Sequence, residues 1–337
     1  MAILRGGIDL GGTKIEAIVV DAKNNVRGSA RHPTPTEGGP SDVAASMIAA
    51  LSEAAAQAGT DTKALVGVGV GSPGSVDTAS GRVASARNLP GWEGSFALGN
   101  TLTKQLGAPT FIANDVQAGT RGEFVLGAGK PYKSVLGLFW GTGVGGGIVL
   151  GGEPYRGRGG AGEIGHLVYK PGGRRCGCGN RGCVEAYAGR ASLETKARKE
   201  IKKGAKSDLV KIAKKKQHEH FTSAVWADAV KKGDKLATQL IDGGVEAIGV
   251  GLASALNLLD IEAVIIGGGL GVRFGQEYVE RIVAAAEPHL FPGHAAPTVK
   301  LASLGDLGGA LGAALLVPAK PAAKKPARKP AARPSAA

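Results

Sequence analysis

Cysteine, aromatic residues and long apolar runs are all scarce in this sequence. Its 337 residues include three cysteines, and only 4% are Phe, Trp or Tyr, which argues against a base-stacking platform as the main surface. No apolar run reaches the roughly 18 residues needed to cross a bilayer, and residues 1–15 lack the charged-then-apolar order of a secretory signal. The expectation is a cytoplasmic protein with no membrane partner. The pattern G-x-x-x-x-G-K-[ST] does not occur, which excludes a P-loop nucleotide site.

What is present is the composition of a folded chain. Hydrophobic residues make up 43%, too many for wholesale disorder, and the 56 glycines follow no three-residue period of the collagen kind. The length predicts two domains or one large one, with ample chain to bury a core. The net charge of +13 is concentrated in two places. Residues 196–216 carry ten Lys/Arg against Glu200 and Asp208, and residues 318–337 carry six with no acid, so the remaining body is close to neutral. Residues 318–337, with five prolines, read as a disordered Pro/Ala/Lys tail that would weakly attract nucleic acid or polyphosphate. Residues 196–216 read as a helical stretch with its lysines in water.

Apolar periodicity alternates between strand and helix blocks, an α/β pattern. Ile3–Leu10, Ile15–Asp21 and Val26–His32 read as a meander, followed by a helix at Ser41–Ala58 with Ser41 as N-cap, a strand at Leu65–Gly71, a helix at Phe96–Leu106 and a strand at Pro109–Ala113. A second unit repeats this order. Ser134–Trp140 and Gly146–Leu150 flank a glycine turn, Gly233–Leu259 is a long helix, and Ala263–Ile266 is a buried strand. The glycine turns at residues 10–13 and 140–143 echo one another, which suggests two related domains facing each other across a cleft.

Asp9-Leu10-Gly11-Gly12-Thr13-Lys14 puts an acid at a strand end, then two residues without side chains, then a hydroxyl. Backbone N–H groups reach a phosphate only where no Cβ intervenes, and the nearby carboxylate can hold Mg2+ through water. The same segment also reads as a plain glycine hairpin. Gly141-Thr142-Gly143-Val144-Gly145-Gly146 satisfies G-x-G-x-x-G but runs into a strand rather than a helix, which disfavours a dinucleotide site. Asn114-Asp115 follows an apolar strand and precedes a helical stretch, so Asn114 reads as a cap, or Asp115 as a general base aimed into a cleft.

All three cysteines, Cys176, Cys178 and Cys183, lie within eight residues, ten residues after Glu163-Ile164-Gly165-His166. One disulfide plus an orphan thiol would be odd in a reducing compartment. His166 and the three thiolates instead make a closed tetrahedral Zn2+ site, structural because no position is left for water. His218 and His220, with no cysteine near, read as solvated.

In order along residues 6–317, these segments resemble the ROK family of sugar kinases and sugar-responsive repressors, within the actin-like ATPase superfamily. Asp9–Lys14 is similar to its first phosphate motif and Gly141–Gly143 to its second. Gly69–Gly74 and Asn88–Trp92 resemble its sugar-side loops, and Asn114-Asp115 its catalytic pair. Residues 163–185, ending in Glu185, resemble its zinc signature, and Gly267-Gly268-Gly269 its adenosine-side turn.

The resemblance implies two actin-like, ribonuclease-H-like α/β domains. These are a small one at 1–113, on which a last helix near 305–317 packs back, and a large one at 114–304 carrying the zinc loop 166–183. It further implies a homodimer and an ATP-dependent hexose kinase, glucose being the favoured sugar. Asp115 would be the base, with Gly74, Asn88, Asn114, Glu163, His166 and Glu185 on the sugar. Asp9, Gly11, Gly12, Thr13, Lys14, Gly141, Thr142, Gly143, Gly267, Gly268 and Gly269 would hold MgATP. Fructose, mannose, N-acetylglucosamine and N-acetylmannosamine are alternative sugars, and polyphosphate an alternative donor. A sugar-sensing repressor is the reading from another class, disfavoured because the first strand begins at Ile3 and leaves no room for a preceding helix-turn-helix.

Overall fold

The computed structural model describes residues 3–293 and 297–318. It is an α/β structure built on two five-stranded sheets. The first contains β1 (Arg5–Leu10), β2 (Lys14–Val20), β3 (Val26–Pro33), β4 (Val68–Ser72) and, further along, β8 (Thr110–Asn114). Between β4 and β8 stand three short strands, β5 (Ser75–Asp77), β6 (Arg82–Ala84) and β7 (Ser95–Phe96), which form a small sheet of their own. The second large sheet contains β9 (Val135–Trp140), β10 (Val144–Leu150), β11 (Glu153–Tyr155), β12 (Ala263–Gly267) and β13 (Thr298–Leu301).

The two large sheets share one strand order, β3-β2-β1-β4-β8 in the first and β11-β10-β9-β12-β13 in the second. In each an antiparallel meander continues into parallel strands. The repeated turns of the sequence thus reflect a repeated topology.

Helices cover these sheets. They are α1 (Pro40–Gln57), α2 (Leu98–Leu106), α3 (Asp115–Leu126), α4 (Glu185–Ala188), α5 (Arg190–Lys202), α6 (Leu209–Lys215), α7 (Ser223–Lys231), α8 (Lys235–Leu259), α9 (Gly268–Ala286) and α10 (Gly308–Ala314). The segment Ile15–Val20 of β2, apolar but for Glu16, is buried along its whole length, as a strand covered on both faces must be. Ile15, Ala17 and Val19 join the core under α1, while Ile18 and Val20 meet Ala310 and Ala314 of α10.

Three local expectations are corrected. The first long helix starts before Ser41. Gly39 is its N-cap, Pro40 takes the first turn, where its missing N–H costs nothing, and the Asp42 carboxylate accepts the Gly39 N–H at 2.8 Å. The long helix near the end of the second unit starts at Lys235 rather than Gly233, because the Asp234 carboxylate accepts the Ala237 N–H at 2.9 Å and fixes the cap there. The basic stretch 196–216 is two helices rather than one, broken after Lys202 by a turn with Gly204 at φ +100°. Each buries a short apolar face, Leu193 and Ala197 on α5 and Leu209, Ile212 and Ala213 on α6, while most of the lysines are exposed.

The helix that closes the described chain, α10, packs on the first sheet. Its backbone runs so close to Gly7 of β1 and Gly69 of β4 that a Cβ at either position would strike it. It also crosses α3 through small residues, Ala118 and Gly122 against Gly308 and Gly312. Buried Glu123 of α3 accepts the N–H groups of Ala128, Ser303 and Leu304 at 2.9–3.0 Å, anchoring the segment that leads into α10. The basic tail lies outside the described residues from 319 onward. Among the described residues no helix is long and apolar enough to cross a membrane.

Candidate active site

Strand register sets the centre of the site. Asp9 of β1 pairs with Gly71 of β4, and Gly71 pairs with Ala113 of β8, so Asp9 and the Asn114-Asp115 step leave the two parallel strands that flank β4 at the same end. That is where open α/β sheets place their ligands. Gly71 lies directly under Asp115, 3.2 Å from its Cα were a Cβ present, so the central strand presents no side chain between the two acids. Asn114 Oδ1 accepts the N–H groups of Val116 and Gln117 at 3.0 and 3.2 Å, so the residue does cap α3, and the cap is what fixes Asp115 at the first helical position.

Both carboxyls are poised above the usual range. Burial pushes Asp115 up to about 6, with the charge of Glu163 adding to it and the N–H of Val116 working against it. Burial also pushes Asp9 up to about 7, with the charge of Asp115 adding and Lys14 opposing. The two carboxyls thus titrate as an interacting pair, each raised chiefly by burial. The N-terminal turn of α10 comes so close that a Cβ at Gly309 would strike the Asp9 carboxylate.

The first glycine turn is braced from two sides. Gly12 faces Asn88, whose Nδ2 would lie 3.1 Å from a Cβ at Gly12, so a sugar-side residue and a phosphate-side residue predicted separately meet here. Lys14 Nζ lies 3.5 Å from the buried Glu16 carboxylate and 3.8 Å from Asp306, and Arg31 bridges the same two acids at 2.6 and 2.9 Å. Gly74, at φ +90°, makes the corner from β4 into the small sheet, two residues beyond the Ser72–Asn114 pair.

The second glycine turn, between β9 and β10, sits against the first residues of α9. A Cβ at Gly141 would be 3.6 Å from the Gly269 nitrogen, and Gly268, at φ +80° against the Trp140 backbone, has room for no side chain. Gly267, Gly268 and Gly269 therefore belong to the same surface as Gly141–Gly143. The turn is held from α4 and α5. The Val144 N–H donates to Glu185 Oε2 at 3.0 Å, and Trp140 Nε1 donates to the Ala188 carbonyl at 2.8 Å.

Arg190 opens α5 and was not foreseen from the sequence. Its Nη2 donates to Thr142 Oγ1 at 2.8 Å and its Nη1 to the Phe221 carbonyl at 3.2 Å. The Gly189-Arg190 step directly after the zinc signature is the one signal that could have flagged it.

The thiol loop gathers as its spacing predicts. The ligand atoms of His166, Cys176, Cys178 and Cys183 all lie within 4.8 Å of one another. Cys178 and Cys183 Sγ are 3.8 Å apart, as are Cys176 Sγ and His166 Nδ1. A tetrahedral ion with bonds of about 2.3 Å sets two sulfurs about 3.8 Å apart. Burial pushes the Cys176 thiol up to about 12, so a cation among the four groups is what would make it a thiolate. His166 turns its other nitrogen outward, with Nε2 3.8 Å from the Glu163 carboxylate. One imidazole therefore faces both the thiol cluster and the Asp115 side, where Glu163 stands.

The chain is similar along most of its length to known proteins. The family model described as "ROK family" matches residues 5–320. The glucokinase of Thermotoga maritima is 34% identical over 268 residues, 78% of this chain and 81% of that protein. Among solved structures, a ROK family glucokinase from Streptomyces griseus in complex with glucose and AMPPNP is 31% identical, with a TM-score of 0.79 over 93% of this chain and 98% of that one. A ROK hexokinase from Thermus thermophilus is 35% identical, with a TM-score of 0.75 over 94% and 97%.

Proposed function

This chain belongs to the ROK family, and on that premise we propose that it is an ATP-dependent hexose kinase that transfers the γ-phosphoryl group of ATP to glucose. The observation that carries the reading is the pair of acids at one end of the first sheet. Asp115 is half-buried and fixed by its helix cap, and Asp9 stands two strands away beside a glycine turn. Phosphoryl transfer demands positioning and charge neutralisation more than covalent chemistry, and this pair supplies both.

Asp115 takes the proton of the attacking primary hydroxyl. Asn88, Asn114, Glu163 and His166, with the Gly74 corner, bind the other hydroxyls, and with the sugar enclosed a missing hydroxyl would leave one of these groups unpaired. Glu185 reaches the sugar only with what its bond to Val144 leaves free. The turns at Gly11–Thr13 and Gly141–Gly143 cradle the phosphates, and Gly267–Gly269 backs the adenosine. Asp9 would hold Mg2+ through water, and the ion neutralises charge developing on the phosphates when bound. His166, Cys176, Cys178 and Cys183 fit a structural Zn2+. The two sheet units, with a boundary near residue 113, would close over the sugar to exclude water. A homodimer is the expected assembly.

The test is ADP release with MgATP against glucose, fructose, mannose, N-acetylglucosamine and N-acetylmannosamine, with polyphosphate as a second donor arm. Glucose should give the highest kcat/KM. Asp115→Asn should lose at least ~10³-fold in kcat, the combined loss of acid–base help and positioning, while still binding glucose. Equal turnover by that variant would remove Asp115 from its role, and no turnover with any sugar would overturn the kinase reading.

A further inference from the structure

The loop that follows β6 carries two adjacent side chains to two different parts of the site. Ala86, Leu89 and Trp92 of this loop are buried in the core under the first sheet. Trp92 Nε1 donates to the Val83 carbonyl at 3.2 Å and closes the loop at its base. Within it the Arg87 N–H donates to the Ser85 carbonyl and the Leu89 N–H to the Ala86 carbonyl, both at 2.9 Å. Ser85 takes φ +54°, a conformation that a residue with a side chain keeps only where its surroundings over-determine it. Between the buried Ala86 and Leu89, Arg87 and Asn88 are exposed.

Asn88 lies against Gly12 of the first glycine turn. Arg87 Nη1 donates to the carbonyl of Gly177, 90 residues along the chain and in the thiol loop of the second unit. Gly177 stands between Cys176 and Cys178, in a turn closed by the Cys176 N–H on the Asn180 carbonyl at 2.8 Å and the Gly179 N–H on the Cys176 carbonyl at 3.1 Å. Its carbonyl therefore moves with the thiols that flank it. The thiol loop is in turn tied to its own unit, where the Tyr169 hydroxyl donates to Glu246 of α8 at 2.8 Å and the Arg174 N–H to the Tyr187 hydroxyl at 3.0 Å. An exposed arginine ordinarily gains little from one surface contact, because ordering its long side chain offsets the bond. Here both ends are held in advance, the backbone at 85–89 by the core and the carbonyl by the thiol turn, so only the arginine side chain remains to be ordered.

We propose that Arg87 is a positioning residue that latches the thiol loop onto the sugar-side loop, so that Asn88 from the first unit and Glu163 and His166 from the second face one sugar together. The inference rests on the reading of the protein as a hexose kinase and gives the thiol loop a part in closing the site. Without the latch, the sugar contacts on each unit persist but are free to separate. Sugar binding then weakens more than the phosphoryl transfer that follows it.

Two measurements on the full chain test the latch, hydrogen–deuterium exchange without sugar or nucleotide, and KM and kcat with glucose. Arg87 is exposed, so its replacement opens no core cavity. In Arg87→Ala the amides of residues 173–183 should exchange at least ~5-fold faster, with those of α1 unchanged. KM for glucose should rise about 5- to 10-fold, roughly the loss of one charged hydrogen bond at an exposed site, with kcat within about twofold. Arg87→Lys, which keeps one charged donor, should restore most of that affinity. Because Arg87 acts through the thiol loop, adding Arg87→Ala to Cys178→Ser should raise KM no further than Cys178→Ser alone. Unchanged exchange in the thiol loop would overturn the latch, and this arm needs no sugar, so it decides the latch even in a protein that turned over no hexose. Faster exchange with an unchanged KM for glucose, or effects of the two substitutions that multiply, would overturn the role assigned to Arg87 in sugar binding.

Discussion

The carboxylate of Glu185 accepts the Val144 N–H at 3.0 Å with one oxygen and faces the Cys176 sulfur at 3.7 Å with the other. A single side chain thereby joins the thiol cluster to the second glycine turn. Cys178→Ser tests this link, because Cys178 is exposed and its loss opens no core cavity. Metal analysis should give about one zinc per chain for the parent and well under half for the variant. KM for glucose should rise by roughly 10- to 100-fold, the usual cost of disturbing a metal's supporting shell, with the far-ultraviolet circular dichroism unchanged. Full zinc retention would show that the thiol is not a ligand.

Asp115 also sets a pH dependence. As a base it must be ionised, and its carboxyl is raised to about 6. kcat/KM for the sugar should therefore climb as pH rises from 5 and level off above about 6 to 7. A profile flat down to pH 4.5 would mean that the rate does not depend on this carboxyl.

Stability should run the opposite way at the same residue. A carboxyl raised in the folded state binds more protons there than in the unfolded chain, so its contribution to stability falls as pH rises from about 4 to about 6. An amide in its place carries no charge at any pH. Asp115→Asn should melt above the wild type at pH 8, and the gap should narrow at pH 4.5. Thermal melts at the two pH values decide it, and an identical gap at both would contradict the burial argument.

Arg190 ties Thr142 of the second turn to the Phe221 carbonyl. Arg190→Ala should free the turn and raise KM for ATP by about 5- to 20-fold, roughly the loss of one or two charged hydrogen bonds, with KM for glucose little changed. If KM for glucose shifted as much as KM for ATP, the residue would be supporting the fold as a whole.

Much of this was legible in the residues. The Asp9 turn, the Asn114-Asp115 step and the His166–Cys183 cluster carry local signals, because spacing along the chain settles which groups can meet. Other features had no such signal. The two- and three-residue strands of the small sheet are too short to show a period. The start at Gly39 rather than Ser41 turned on Pro40 and on Asp42 reaching back, against a residue equally able to cap. The approach of α10 to Gly7 and Gly69 depends on residues some 240 to 300 positions apart, where a glycine reads only as flexibility until the neighbour is seen. Arg190 and Arg87 look like surface arginines, and what distinguishes them is which carbonyl or hydroxyl they face.

The placement of α10 also governs the order in which the protein can be assembled during synthesis. The first sheet is translated early, yet the face carrying Ile18 and Val20 packs against Ala310 and Ala314, with Leu307 and Leu311 beside them. Until the ribosome has released residue 314, a nascent chain carries an open apolar groove along β1, β2 and β4. A message truncated shortly before codon 305 would yield a product holding both acids and the thiol cluster that still behaves as a client for chaperones.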